Sequence, residues 1–186
     1  MNTIFNVRKR PLAWGGLQLA ILLWHALYTA LYMDPQYLFF ICYPANLLVA
    51  VGIIGRYPVF IGIGTKWTIL ALPFVFLDYF ITGDYEVSGI LFHLSGPIIG
   101  IIALKTYRLP PYTFMGALCF GVVFQMLARQ FTAESLNINI AFSVWRGWET
   151  MFPDYRIYIA IVYVGFFSFF IIFQYISNTF IYDEKN

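Results

Sequence analysis

Two histidines, a cysteine and a handful of polar side chains carry the chemistry open to this chain. Cys42 and His93 are the candidate catalytic residues, because a thiol beside an imidazole is the minimal set for nucleophilic acyl transfer. The imidazole generates thiolate and later protonates the leaving alcohol. His25, Asn46, Asp78, Gln125 and Arg129 are candidate supporting or substrate-binding residues. Asn46, Asp78 or Gln125 could orient the imidazole or donate to an oxyanion, as in a Cys-His-Asn arrangement. The same groups could instead bind a ligand, with His25 and His93 as axial ligands of a haem, or joined by Cys42 and Asp78 around a transition metal. No short ligand motif marks either, so no cofactor and no metal site is predicted.

The elements that must position these residues lie in a membrane. Hydrophobic residues make up 61% of the 186 residues and charged residues 11%, with a mean hydropathy of +0.74. Soluble domains average about half apolar and about a quarter charged. Runs of about 20 apolar residues predict an all-α bundle of six transmembrane helices, roughly at 12–33, 37–54, 65–81, 87–107, 113–130 and 157–179. Turn signals separate them: Asp34-Pro35, Gly55-Arg56-Tyr57-Pro58, Thr82-Gly83-Asp84 and Arg108-Leu109-Pro110-Pro111. A single integral membrane domain over 1–186 is expected. Arg8-Lys9-Arg10 precedes the first run, which lacks an A-x-A-like cleavage site and reads as a retained helix.

Orientation follows from positive charge. With the N-terminus inside, that side holds Arg8, Lys9, Arg10, Arg56, Lys66, Lys105, Arg108 and Lys185, against Arg129, Arg146 and Arg156 outside. Both termini are therefore expected in the cytoplasm, with the chain multi-pass in the plasma (inner) membrane. The net charge of +2 and the scatter of basic residues along helix ends argue against a nucleic-acid partner. Membrane lipids and other membrane-protein subunits are the expected partners.

Depth brings the candidates to one layer. His25 precedes Asp34 by nine positions and Cys42 follows it by eight, so at about 1.5 Å per residue both sit about 12–13 Å below the outer turn. Asp78 and His93 fall about 9–10 Å from the next outer turn by the same arithmetic, and Gln125 and Arg129 lie near the outer end of the fifth span. Polar groups at such depth are costly, so a shared layer suggests a site. Cys42 and Asn46 share a helix face, as do Gly121, Gln125 and Arg129. The His93 face runs Gly89, His93, Pro97, Gly100, a groove that would admit a helix or a lipid tail.

Each residue also has a plainer reading. A lone His can hydrogen-bond a neighbouring helix, Cys42 can be a small apolar filler, Asp78 an interfacial carboxylate, and the fourteen Tyr and five Trp an interfacial belt. The longest loop, 131–156, mixes Ile138, Ile140, Phe142, Val144, Trp145 and Trp148 with Arg146 and Glu149. That pattern suits a short interfacial helix over the bundle, capping the polar layer or anchoring in headgroups.

The order of features resembles the YwaF-like group of six-helix integral membrane proteins, related to the androgen-induced type of intramembrane lipid hydrolase. The segment Leu-Phe-Phe-Ile-Cys-Tyr-Pro-Ala-Asn-Leu-Leu at 38–48 is similar to the group's nucleophile segment. Ile-Thr-Gly-Asp at 81–84 with Leu91-Phe92-His93 is similar to its Thr-Pro-Asp turn and histidine segment. Asn137-Ile138-Asn139 and Phe152-Pro153-Asp154-Tyr155 are similar to its late Asn motif and Pro-x-Tyr turn. Gly83 stands where the group has proline, and Phe or Ile stands just before Cys42 where the group has His. The resemblance implies a lipid acyl hydrolase or acyltransferase in which Cys42 attacks an ester and His93 acts as base. The alternative is a non-catalytic transmembrane subunit, or a solute-, pigment- or haem-binding component of a membrane complex.

Overall fold

Pro11, with no amide hydrogen to lose, opens the first helix, and the chain then runs as helix after helix. The computed structural model describes residues 10–82, 87–145 and 147–183. The side chains of 78, 81 and 82 also lie outside the described residues. So do the Arg8-Lys9 pair, the Gly83-Asp84 turn, Glu86, Arg146 and Lys185. Six α-helices are present among the described residues: α1 Pro11–Tyr32, α2 Cys42–Gly55, α3 Pro58–Thr82, α4 Val87–Leu104, α5 Thr113–Phe131 and α6 Tyr155–Ile176, the last continuing through a π-turn Ser177–Ile181. No strand occurs among the described residues.

Four of these runs are long and apolar enough to cross a membrane: Pro58–Leu77, Val87–Leu104, Thr113–Phe131 and Tyr155–Ile181. They mark an integral membrane protein. The 22 residues of α1 reach about 33 Å, a bilayer's hydrocarbon depth, with Gln18 and His25 interrupting its apolar run. The 14 residues of α2 reach only about 21 Å.

Small residues set the helix spacing. A Cβ on Gly64 of α3 would fall 2.9 Å from the Val49 amide and into the Ala45 carbonyl of α2. Gly96 and Gly100 of α4 face Asn46 and Thr65, and Gly121 of α5 lies under the Trp67 ring. Trp67 satisfies its indole N–H by donating to the Ala117 carbonyl at 2.8 Å. The core fills the seams between these helices, with Val49, Ile53, Ile61, Ile99, Ala103 and Leu104 in one cluster and Ala45, Trp67, Ala117 and Phe170 in another. At one end of the bundle the α2 end turns into α3 through Arg56 in the left-handed region (φ 60°). The end of α6 reaches the α4–α5 turn there, the Asn178 side chain bonding both Leu109 backbone groups.

The structure differs from the sequence reading at four places. The expected second span, 37–54, is split into a 3-10 turn Pro35–Phe39 and α2. Asn139 causes this: its side chain accepts from the Ile41 amide at 2.9 Å and donates to the Phe39 carbonyl at 2.9 Å, so those groups do not continue a helix. The third helix starts at Pro58 rather than at 65, because only Arg56 and Tyr57 are needed for the turn. The 131–156 segment is not one interfacial helix. It folds as two 3-10 turns and irregular chain, with Ile138 and Ala141 buried against Ala128 and Trp145 against Phe74. Positive φ at Asn137, Asn139 and Ile140 excludes a continuous helix there. Finally, the glycine-lined face of α4 is filled: Gly89 faces Tyr79 and His25, and Gly100 faces Thr65.

Two outcomes test this packing. Gly64→Ala overpacks the α2–α3 seam at a cost of about 1–3 kcal/mol, lowering the melting temperature in detergent by about 3–10 °C. Gly16→Ala, where a Cβ meets open space, leaves it unchanged or raised. Equal melting of the two variants would refute the seam. Asn139→Ala removes bonds worth about 2 kcal/mol, so amide exchange at Ile41 and through 137–144 should rise about thirtyfold, with the α3 core unaffected.

Candidate functional site

The site begins with a stripe on α1. Gly15, Gln18, Leu22, His25 and Thr29 are its buried residues, spaced three and four apart, so one line of the helix faces the bundle and carries three polar groups. Apolar residues cover the other faces, and Leu23, Trp24, Leu27 and Leu31 are exposed. Each polar group on the stripe meets a partner on another element. Gln18 Nε2 donates to Asn46 Oδ1 at 2.6 Å, and Asn46 Nδ2 donates to the Cys42 carbonyl at 2.8 Å. The Thr29 hydroxyl lies 2.6 Å from the Tyr43 hydroxyl. His25 Nδ1 lies 3.1 Å from Ser88 Oγ at the start of α4.

The two imidazoles converge, because α1 packs against α4. The His25 and His93 ring centroids are 6.3 Å apart at 67°, His25 stacks on Tyr43 at 5.5 Å, and Phe92 packs against both imidazoles at 4.5 and 4.9 Å. Cys42 lies beside them in a cluster with Leu22 and Phe92, and only 7% of it is exposed. Among the described residues no hydrogen bond joins the Cys42 thiol to His93. Phe92, fully buried, is the side chain that packs with both.

Gln125 and Arg129 do other work. Gln125 accepts from the Tyr163 hydroxyl at 2.7 Å and donates to the Ile140 carbonyl at 3.1 Å. The Arg129 guanidinium donates to the Ala141 carbonyl and to the Tyr155 hydroxyl, and lies 5.7 Å over the Tyr155 ring. These two residues fasten α5 and α6 to the strained 137–144 segment. Ile140, a β-branched residue at φ 50°, is held there by Gln125 and by Tyr155, whose hydroxyl donates to its carbonyl at 2.8 Å. His25, Cys42, Asn46 and His93 thus form one cluster on α1, α2 and α4, whereas Gln125 and Arg129 belong to a second on α5, α6 and the loop. The Asp78 side chain lies outside the described residues.

Several participants were not singled out by sequence reasoning. Gln18 and Thr29 could have been found from their seven- and four-residue offsets to His25. Ser88 and Tyr43 carry no such signal, since their roles depend on which helices meet. Lys66 was counted as an interfacial charge, yet it sits eight residues into α3 and is fully buried. Its Nζ donates to Gln174 Oε1 at 2.7 Å, and Gln174 Nε2 donates to the Pro110 carbonyl. A charge inside an apolar run is the signal that marks it.

The arrangement can be tested against cofactor chemistry. Among the described residues no three His, Cys, Asp or Glu side chains converge as a metal site, although His25 and His93 approach as a pair. Among the described residues, two open surface depressions of about 390 and 420 Å³ lie at the opposite, basic end, where Arg108 and Pro111 meet Asn178. Neither is lined by Cys42 or His93. Comparison with family models, with curated proteins and with solved structures finds no match to this chain.

Proposed function

We propose that this chain is a non-catalytic subunit of a plasma-membrane assembly, built as six transmembrane helices with both termini cytoplasmic, whose polar layer fixes helix order. The observation that carries this reading is the state of Cys42: the thiol is buried, has no base in hydrogen-bond reach among the described residues, and shares its cluster with Phe92. A nucleophile needs a base within about 3.2 Å and space for the reacting ester. The surrounding polar groups are spent on helix–helix bonds: Gln18 with Asn46, His25 with Ser88, and Thr29 with Tyr43.

The orientation rests on charge. Arg10 at the start of α1, Arg56 between α2 and α3, and Lys105 and Arg108 between α4 and α5 are at the ends that hairpin connectivity brings to one side. The positive-inside rule makes that side cytoplasmic. The short α2 crosses together with the Pro35–Phe39 turn, whose open backbone is bonded within the protein by Asn139. The exposed apolar face of α1 is available to lipid and to a partner's helix.

A second reading has one specific observation in its favour. The 6.3 Å spacing of the His25 and His93 rings, on helices that pack together, suits a bis-imidazole site for a haem or a transition metal. Phe92 would have to yield for a porphyrin to enter.

Intact mass spectrometry of detergent-purified protein incubated with mixed phospholipids should return unmodified masses for wild type and Cys42→Ala. Native mass spectra from mild detergent should show a co-purifying protein. A fatty-acyl adduct lost in Cys42→Ala would overturn the non-catalytic reading in favour of lipid acyl transfer. The optical spectrum of the same sample should lack a Soret band, and one abolished by both His25→Ala and His93→Ala would establish the second reading instead.

A further inference from the structure

We propose that the groove where the α4–α5 turn meets the end of α6 binds an anionic glycerophospholipid, with its phosphate at Arg108 and an acyl chain against Phe114 and Ile171. This goes beyond the subunit reading and rests only on the chain being embedded in a membrane.

Two adjoining cavities, of about 390 and 420 Å³, form the groove and share Arg108, Pro111 and Asn178. Its wall is built rather than incidental. Asn178 Oδ1 accepts from the Leu109 amide at 2.9 Å, its Nδ2 donates to the Leu109 carbonyl at 2.9 Å, and Gln174 holds the Pro110 carbonyl. The turn is pinned at three backbone groups, yet the Arg108 side chain is exposed and makes no ion pair or hydrogen bond with any described residue. A fixed backbone beneath a free guanidinium is a preorganised anion contact, since guanidinium donors match phosphate oxygens in pairs.

The lining changes character with depth. Arg108 and Asn178 are polar, Gln174 lies one turn further along α6, and Ile171 lies seven residues from Asn178, about 10 Å toward the membrane centre. Phosphate, ester and acyl chain follow one another in the same order in a glycerophospholipid. No carboxylate of the described residues lines the groove. Asp183 is near this end, with its amide donating to the Lys105 carbonyl, but it is not part of the lining.

Charge behind the wall completes the argument. Lys66 is fully buried, its ammonium donates to the same Gln174 that lines the groove, and among the described residues it has no carboxylate partner. A buried ammonium without a counter-ion is costly in a low dielectric. The Ser177 hydroxyl, one turn beyond Gln174, is also fully buried without a partner. Lys66 and Ser177 thus put polar groups behind the wall, on either side of Gln174.

The test is lipid retention in native mass spectra, with phosphatidylglycerol and phosphatidylcholine offered at equal concentration to the full-length protein in detergent. Wild type should retain phosphatidylglycerol preferentially. Arg108→Gln, an exposed substitution, should cut that preference about fivefold, the weight of one basic residue at a membrane surface. Arg56→Gln, at the same basic end but outside the groove, should leave it intact. Equal retention of both lipids by wild type, or a preference unchanged by Arg108→Gln, would overturn the proposal. So would an equal loss in both variants, which would reduce the effect to bulk charge. An acyl adduct on Cys42 would sink the subunit reading and leave this result untouched.

Discussion

Asn46 ties three helices together at one point, and most of the His25 half of the bundle depends on it. It is 1% exposed, accepts from Gln18 of α1, donates to the Cys42 carbonyl at the start of its own helix, and lies against Gly96 of α4. Hydrocarbon offers an amide no alternative partner, so each of these bonds is made within the protein or not at all. Interhelical bonds of this kind are worth about 0.6–1.7 kcal/mol in membranes. Their larger effect is on register: α1 shifted by one residue would present Leu17 or Leu19 to Asn46 and move His25 away from Ser88.

That constraint explains why the candidate catalytic layer is closed. Once Gln18 meets Asn46, the three-four spacing of the α1 stripe carries His25 to Ser88 and Thr29 to Tyr43 without further choice. Gly89 and Gly96 then let α4 approach until Phe92 fills the space beside Cys42. The same glycines that suggest an open groove in sequence are the reason none forms: a residue without a side chain admits the neighbouring helix as readily as it admits a ligand.

What the sequence disclosed, and what it did not, divides along the range of the interactions. The similar depth of His25 and His93 was legible because hairpin geometry and helical rise fix depth, but that α1 packs on α4 and brings the two rings together was not. The start of α3 was misjudged because Lys66 looks like a span boundary, whereas Arg56 in a left-handed conformation closes the turn seven residues earlier. The split before α2 was illegible, since it is decided by Asn139, nearly a hundred positions away, taking the Ile41 amide and Phe39 carbonyl. The loop misled for a related reason. Its apolar residues do mark burial, but positive φ at Asn137, Asn139 and Ile140 is invisible in a hydrophobicity pattern.

The two ends of the bundle therefore handle polarity in opposite ways. At the His25 end almost every buried polar group has a protein partner, Gln18 Oε1 being an exception, and the result is rigidity. At the Arg108 end Lys66 and Ser177 are buried with donors unspent among the described residues, beside a pinned turn and an open groove. A folded chain under no other demand would replace such a lysine by an apolar residue of similar volume, a change that is commonly neutral or stabilising for buried charge. A lysine kept behind the groove, bonded to the Gln174 that lines it, fits a surface that meets an anion from outside the polypeptide at Arg108. The unsatisfied end, rather than the satisfied one, is then where this protein meets its surroundings.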